Sequence, residues 1–322
     1  MIDQFAQEQP QTRPLVSVLM PIANDYETVV HAIGSVLDQD FPRDDLELII
    51  VNRGSFDGSR DIAMQSTYDR RVRLIDQLER SYDAAVVLAL QQARGSIIVL
   101  LDGGTVLPMR ALAACVAALE QNEADIAVAP VYYRGSDHWS QAGALVTSYL
   151  IGSQALAFRR MVFEQAIDGQ SFIPSRILGG KSVSLPEEIV LTRVAPASAR
   201  QLCALHFERG QLAGQALRCN ARSASSLDLI SASVLLLSFN TLLSVAVRKL
   251  RPLAARGWGW YLLFVLIFAL DAINSPIATH KTAMRRINAI QPDELLPYMP
   301  FVFTLAYLSH ACGLLSAIFK KT

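Results

Sequence analysis

The sequence has no excess of charge of either sign, because 29 lysine and arginine residues balance 29 aspartate and glutamate residues in 322. A neutral balance gives no electrostatic attraction for nucleic acid or for an acidic partner. We therefore predict that no nucleic acid is bound. A chain of this length has room for one large domain or two moderate ones.

Several familiar motifs are also missing. The four cysteines form no C-x-x-C pair, and three of them lie in apolar or helical contexts, which predicts reduced, buried thiols. The five histidines show no metal-ligand spacing, and the chain contains no P-loop, G-x-G-x-x-G or G-x-S-x-G motif. The start of the chain, "MIDQFAQEQPQTRP", contains no apolar segment, so we expect no signal peptide and a cytosolic globular part.

Apolar residues, in contrast, are abundant and unevenly placed. They make up 52% of the chain, and the mean hydropathy is +0.29. Three runs, at 227–247, 260–278 and 298–319, each have about the length that crosses a bilayer. We therefore predict a polar tail over 1–13, a globular domain over 14–222 and a membrane region with about three apolar helices over 223–322.

The topology of the membrane region stays open. Aromatic residues at the start of the second run match the position of an interfacial belt. The links "RKLRPLAARG" and "HKTAMRR" are both basic, as is the terminal "KK", and simple spans cannot place all three on one side. One run could instead lie in the interface or re-enter. The alternative is that all three are core helices of a soluble domain.

The first 220 residues show strands alternating with helices. "PLVSVLMPIA", "LELIIVN", "VRLIDQL" and "SIIVLLD" are short apolar runs typical of buried parallel strands. Helical segments separate them, beginning at "DYETVV", "GSRDIA" and "SYDAAV". This order predicts a doubly wound, Rossmann-like α/β sheet. Ligands of such sheets bind at the carboxyl ends of the strands, which brings 21–25, 52–57 and 102–105 to one edge.

Five motifs in the correct order carry a resemblance to a known family. They are "PIAN", "SVLDQDFP", "VNRGSFDGS", "ARGSIIVLLDGG" and "IGSQALAFRRMVFEQA". Together they resemble the GT-A domain of glycosyltransferase family 2, over roughly residues 14–210. The segment "HFERGQLAGQALR", followed by apolar runs, is similar to the layout of membrane-bound exopolysaccharide enzymes of succinoglycan type.

The resemblance implies a nucleotide-sugar site, UDP-sugar or another, at the strand edge. The family places a metal-binding D-x-D after the fourth strand, where this chain has Asp102-Gly103-Gly104. Magnesium or manganese would bridge the diphosphate, but only Asp102 remains as a ligand, so we expect the metal only if the protein is active. A Gly-Gly turn capped by Asp102 is the structural alternative. The implied nucleotide-binding residues are Pro21, Asn24, Asn52, Arg53, Ser55, Asp57 and Asp102.

The family's D-D-G-S turn is altered in the same direction. The family uses an acidic residue of this turn to accept a hydrogen bond from the nucleotide base, and its two acids are here Asn52 and Arg53. Asn52 keeps a carbonyl oxygen as an acceptor. Arg53 is either a direct contact to phosphate or a solvated surface residue. Ser55 and Asp57 survive, and local turn geometry is reason enough to keep them.

The general base expected by resemblance has two possible positions. In "PEEIVLTR" the base is Glu188. In the other register the motif falls at "GQSFIPSR", where Ile173 and Arg176 match and Gly169-Gln170 replace the acids. We prefer the second register, because the first leaves too few residues before "HFERGQ", and it leaves the chain without a base.

Loss of acids at three places predicts a degenerate transferase. We expect a protein anchored in the inner, cytoplasmic membrane with its GT-A domain facing the cytosol. Its predicted role is that of partner or scaffold of a second, active glycosyltransferase in cell-surface polysaccharide assembly. The alternative is an active inverting enzyme that moves a sugar from a nucleotide sugar to a lipid-linked or polysaccharide acceptor.

Overall fold

A computed structural model of the chain describes residues 15–77, 81–151, 153–169, 171–172, 180–186, 188–219 and 298–319. The fold divides into two compact units. The first comprises Met1–Pro130 and Ser153–Leu191, and the second comprises Val131–Gly152 and Thr192–Thr322. The predicted tail over 1–13 lies outside the described residues, and the predicted boundaries stay a prediction.

The elements follow one another as an alternation of strands and helices, interrupted where β5 follows β4 directly and again where four short strands follow α6. In chain order they are β1 (Val16–Ile22), α1 (Tyr26–Leu37), β2 (Leu46–Asn52), α2 (Ser59–Ser66), β3 (Val72–Asp76), α3 (Tyr82–Gln92), β4 (Ile97–Leu100), β5 (Thr105–Val106), α4 (Ala111–Gln121), β6 (Ile126–Arg134), α5 (His138–Ile151), β7 (Ser153–Arg159), α6 (Arg160–Gln165), β8 (Ile167–Asp168), β9 (Ser171–Phe172), β10 (Ser182–Ser184), β11 (Leu191–Val194), α7 (Ala199–Cys219) and α8 (Met299–Phe319).

The sheet of the first unit has the predicted α/β topology. Four parallel strands lie in the order β3-β2-β1-β4, and every residue of β1 and β2 is buried. Beyond β4 the sheet continues with β7 and then β6, each antiparallel to its predecessor. Because β1, β2 and β4 run in the same direction, the loops that follow them meet at one edge, as predicted.

Helix α3 is held against the sheet by an apolar core. Ala85, Val86 and Ala89 of α3 are buried in a cluster that includes residues of β2, β4 and α6. The Phe163 ring lies 5.1 Å from that of Phe158 and 5.0 Å from that of Phe172. The helix starts at a Ser81 cap, whose hydroxyl accepts a hydrogen bond from the amide of Ala84. This packing fixes the first turn of α3 beside the carboxyl ends of the strands.

At the opposite, amino-terminal ends of the strands lies a buried carboxylate. Glu47 of β2 accepts hydrogen bonds from the Ser17 hydroxyl at 2.6 Å and the Arg94 amide at 2.7 Å. It also pairs with Arg73 at 2.7 Å. Burial of Glu47 opposes its ionisation, but these hydrogen bonds and the Arg73 and Arg94 charges together hold its pKa below the usual glutamate range.

In the second unit α7 and α8 approach closely through glycine. A Cβ atom on Gly210 of α7 would overlap the carbonyl oxygen of His310, and one on Gly313 of α8 would overlap that of Phe207. The absence of side chains therefore lets the two backbones touch. His206 of α7 is buried, and its ring lies 3.2 Å from the Thr147 hydroxyl, so it is a packed histidine.

One helix among the described residues, Phe301–Phe319, is long and apolar enough to cross a membrane, with a mean hydropathy of 1.7. Half of it is buried within the protein, and a core helix of a soluble protein would pass the same test. The other two predicted runs, 227–247 and 260–278, lie outside the described residues. Spanning of a membrane therefore stays a prediction.

The cysteine prediction is correct in part. Cys115 is a buried free thiol, and burial raises its pKa to about 12. Cys203 is partly exposed and Cys312 is exposed, so burial was wrongly expected for Cys312. Gly313 of α8 contacts α7, and Cys312 lies about 100° around the helix from it, on a different face.

Candidate functional site

The loops that follow β1 and β2 are joined by hydrogen bonds between their polar residues. The Asn24 amide donates to the Ser55 hydroxyl at 3.1 Å, and the Phe56 amide donates to the Asn24 side-chain oxygen at 3.1 Å. Asn24 adopts a φ of 58°, a left-handed conformation that asparagine tolerates better than most residues. Both predicted site residues, Asn24 and Ser55, thus hold one loop to the other.

Asp57 performs the same structural task. Its carboxylate accepts hydrogen bonds from the Tyr26 amide at 3.0 Å and from the Ser59 hydroxyl at 2.5 Å. The Ser59 oxygen in turn accepts one from the amide of Asp25 at 2.8 Å. Desolvation opposes ionisation of Asp57, but the hydrogen bonds from Ser59 and Tyr26 outweigh it and lower its pKa. This carboxylate is a structural acceptor at the start of α1 and α2.

Both polar atoms of the Asn52 side chain bind the protein itself. Its amide nitrogen donates to Asp76 at 2.8 Å, and its oxygen accepts from the Ser55 amide at 3.0 Å. Asp76 is also held by Arg60 in an ion pair of 2.6 Å, and these two contacts hold its pKa below the usual range. Asn52 is 4% exposed. The oxygen that the resemblance assigns to a nucleotide base therefore already accepts a bond from the Ser55 amide and is almost inaccessible.

Arg53 lies against the first turn of α3. Its guanidinium carbon stands 5.3 Å from the centre of the Tyr82 ring, within the range of a cation–π interaction. Its amide donates to the Ile22 carbonyl at 3.0 Å. Burial raises the pKa of the neighbouring Asp83 carboxyl, and the Arg53 charge opposes this rise. Arg53 is thus a partly buried, stacked residue, and the interpretation as a solvated surface arginine is wrong.

Asp25 lies in the predicted edge segment 21–25 but is not among the residues that the resemblance implies bind the nucleotide. Its side chain accepts a hydrogen bond from the Ala23 amide at 2.8 Å and makes no capping bond to α1. A Cβ atom on Gly103 would lie 2.7 Å from its carboxylate oxygen, so Asp25 lies directly against the loop that follows β4. Burial raises the pKa of Asp25, Asp102 and Asp57 add to the rise, and the Ala23 amide and Arg53 oppose it.

Asp102 stabilises the turn that follows β4. The Thr105 hydroxyl donates to its carboxylate, and the Thr105 amide donates to its carbonyl at 3.1 Å. This arrangement is the capped Gly-Gly turn named above as the structural alternative. Gly104 has room for a side chain, since an added Cβ would meet only the Thr28 hydroxyl, at 3.9 Å. Space therefore does not explain the missing second carboxylate.

The residues present do not fit the metal site that the family motif implies. Across the described residues, no group of three or more histidine, cysteine, aspartate or glutamate side chains is arranged to hold a metal ion. Asp102 is engaged by Thr105, and Gly104 offers no ligand. Hard divalent cations need several oxygen ligands, and this motif provides one carboxylate.

The remaining predicted residues lie apart from these contacts. Pro21 is buried within β1, opposite Val51. Glu188 is exposed in the turn between β10 and β11. Gly169, with a φ of 61°, forms the turn between β8 and β9, while Gln170, Ile173 and Arg176 lie outside the described residues. Both registers for the general base stay predictions.

Comparison with known proteins supports the family-level expectation. The family model of glycosyl transferase family 2 matches residues 17–177. The chain is 34% identical over 94 residues to glycosyltransferase AglE of Haloferax volcanii, covering 29% of this chain and 31% of that protein. It is 32% identical over 125 residues to glycosyltransferase EpsJ of Bacillus subtilis, covering 38% and 36%. These matches thus span about a third of each relative's length.

A solved structure shares the fold. The mannosyltransferase PcManGT of Pyrobaculum calidifontis, solved with GDP-Man and Mn²⁺, superposes with a TM-score of 0.54 at 20% identity, covering 97% of this chain and 89% of that one. The GT-A-like α/β fold expected from the motifs is confirmed. The narrower likeness to succinoglycan-type enzymes stays a prediction.

Proposed function

The chain belongs to glycosyl transferase family 2, and we propose that it is a catalytically degenerate member that acts as a membrane-anchored partner of an active glycosyltransferase. Its place would be in cell-surface polysaccharide assembly at the cytoplasmic membrane, with the GT-A domain in the cytosol. The proposal explains why the chain keeps the family's fold but lacks acidic residues of its nucleotide-binding turn and metal motif.

The main support for the proposal is that the Asn52 side chain is bonded to other groups of the protein. Its side chain is nearly inaccessible, and both of its polar atoms are engaged, one by Asp76 and one by the Ser55 amide. The side-chain oxygen has a second lone pair and the nitrogen a second hydrogen, but at 4% exposure a nucleotide base could reach them only by displacing these contacts, and a buried group left without a partner costs about 1–3 kcal/mol. The turn is thus suited to joining two loops and poorly suited to binding a base.

Membrane anchoring is supported by α8 and by the chain's apolar runs. Phe301–Phe319 contains 19 residues, which at 1.5 Å per helical residue approaches the thickness of the hydrocarbon core. If the predicted runs form a membrane bundle, the same bundle offers a surface on which an active transferase could assemble.

Calorimetric titration of the detergent-purified chain tests the loss of nucleotide binding. UDP and GDP are each added with and without Mn²⁺ to protein whose fold is verified by circular dichroism. The proposal predicts no heat of binding in any of the four titrations. Metal-enhanced binding in the micromolar range would contradict it.

The partner role requires a second experiment. Extraction of the tagged chain from its own host under mild detergent should recover a second family 2 chain that keeps both D-x-D acids, in fixed stoichiometry. Recovery of the chain alone, at the size of a monomer, would contradict the partner role and leave the question of nucleotide binding unaffected.

An active inverting transferase is the second candidate, favoured by the charged residues that remain near the strand edge. Arg53 and Asp102 would hold the diphosphate and Glu188 would act as the base. Under this candidate, sugar transfer from a labelled nucleotide sugar is measurable, and Glu188→Gln lowers it at least about a hundredfold. Glu164→Gln, at a half-exposed carboxylate paired with Arg160, is the matched control.

A further inference from the structure

The strand edge contains a fixed positive charge in addition to its acids. Arg53 follows β2 directly, its backbone is tied to Ile22, and its guanidinium lies over the Tyr82 ring. Tyr82 begins α3, which is anchored in the apolar core. The cation is thus held in place by a rigid helix and a rigid strand.

Two partly buried carboxylates lie within the electrostatic reach of this cation. They are Asp25 in the loop after β1 and Asp83 in the first turn of α3. Burial disfavours the charged form of each, and the Arg53 charge opposes that effect at both. Asp102 and Asp57 also act on Asp25 and make a nearby positive charge more favourable still.

The substitutions relative to the family pattern all change the charge in one direction. Where the resemblance places acids, this chain has Asn52, Arg53 and Gly104, so three carboxylates are lost and one guanidinium is gained. Lack of space does not force the change at Gly104, because the position has room for a side chain. In place of a bound metal ion, this edge has a cation from its own chain, Arg53.

We propose that Arg53 is the resident cation of this edge: held over the Tyr82 ring at the carboxyl ends of the strands, it supplies the positive charge that a divalent metal supplies in the family's D-x-D motif. The native edge accordingly takes up neither Mg²⁺ nor Mn²⁺. This inference deepens the proposed function and rests on it. On this inference, the chain lacks the family's metal ligands because a side chain takes the place of the ion.

The test measures binding of Mn²⁺ alone, from the electron paramagnetic resonance signal of the free ion. Native protein is compared with Gly104→Asp, which restores the second acid, and with the double variant Arg53→Gln/Gly104→Asp. We expect no binding by the native chain at millimolar Mn²⁺ and weak binding by Gly104→Asp. The double variant should bind about five- to tenfold more tightly, because one nearby unit charge has been removed.

Two further variants separate charge from structure. Arg53→Lys/Gly104→Asp keeps the charge and should stay at the affinity of Gly104→Asp alone. Arg70→Gln/Gly104→Asp removes a charge from the exposed Arg70–Asp44 pair, whose side chains are 80% and 72% exposed, and should also leave that affinity unchanged. Each variant is accepted only with a native thermal unfolding midpoint, and Arg53→Met, which also removes the charge, replaces Arg53→Gln if that variant does not fold.

Equal Mn²⁺ affinity of Gly104→Asp with and without Arg53→Gln would overturn the inference, as would Mn²⁺ binding by the native chain. Failure of the proposed function has a different signature. Metal-free UDP binding by the native chain would contradict the loss of nucleotide binding, while the Arg53 inference would stand.

Discussion

The two ends of the parallel strands treat their carboxylates in opposite ways. At the amino ends, Glu47 is 3% exposed, yet its pKa is lowered by a hydroxyl, an amide and two guanidinium groups. At the carboxyl ends, Asp25 is less buried, yet its pKa is raised, because burial and neighbouring acids outweigh the Ala23 amide and Arg53. The same sheet therefore compensates one acid fully and leaves the other short of positive charge.

This difference separates scaffold from site. The hydrogen bonds and charges around Glu47 stabilise its ionised form, and the same contacts hold β1, β2 and β3 together. An under-compensated carboxylate lowers stability, and such groups concentrate where a fold binds ligands or ions. The carboxyl edge of this chain keeps that character, although Asn52, Arg53 and Gly104 stand where the family pattern has the acids of the nucleotide-binding turn and the metal site.

Removal of Glu47 is expected to have the largest effect on stability. Glu47→Ala leaves the buried Ser17 hydroxyl and the Arg94 amide without their acceptor, and a cost of about 3 kcal/mol in the free energy of unfolding follows. Arg73 and Arg94 are partly exposed and can be rehydrated, which keeps the cost from rising further. Thermal unfolding of the two proteins side by side measures it, and a loss below about 1 kcal/mol would show that the amino end is not the better-compensated one.

Two glycines offer a matched pair of substitutions at the two ends. A Cβ on Gly95 would lie 2.7 Å from the backbone nitrogen of Ser17, whereas one on Gly103 would meet the Asp25 carboxylate, a side chain that can move. Gly95→Ala should therefore destabilise by about 2 kcal/mol and Gly103→Ala by about 1 kcal/mol or less. Equal losses in thermal unfolding would indicate that the carboxyl edge is as rigid as the amino end.

The pH dependence of stability should also differ between the ends. The pKa of Glu47 is lower in the folded state, so its contribution is complete above the ordinary glutamate range and is lost as the pH falls through the folded-state value. The unfolding midpoint of the native chain should decline in acid, and Glu47→Gln should decline less steeply over the same interval. Parallel curves for the two proteins would refute the assignment.

Neutralising Asp25 should give the smallest change, and of opposite sign. Because its pKa is raised in the folded state, ionisation of Asp25 costs stability at neutral pH, and the cost vanishes as the pH falls below the ordinary aspartate range. Asp25→Asn keeps an oxygen acceptor for the Ala23 amide and should stabilise by up to about 1 kcal/mol at pH 7. A destabilised variant would show that the carboxylate is compensated after all.

Most of the strands and helices could be predicted from the sequence, but fewer of the contacts at the two ends of the sheet. Strands such as Val16–Ile22 and Leu46–Asn52 were foreseen, because a short, almost wholly apolar run is typical of a strand buried on both faces. Glu47 and Asp25 were not recognised. Glu47 interrupts an apolar strand, and its partners lie 26 to 47 residues away along the chain. Asp25 has the position and residue type of a helix N-cap, and only the structure shows that its carboxylate lies against Gly103, in the loop that follows β4.

The most direct test of this account is a pH titration of the Asp25 and Glu47 carboxyl carbons by NMR in one sample. We predict a midpoint for Glu47 below the ordinary glutamate value and one for Asp25 above the ordinary aspartate value, rising further in Arg53→Gln. A midpoint for Asp25 at or below the ordinary value, or one that does not respond to Arg53→Gln, would contradict both the comparison and the role of Arg53.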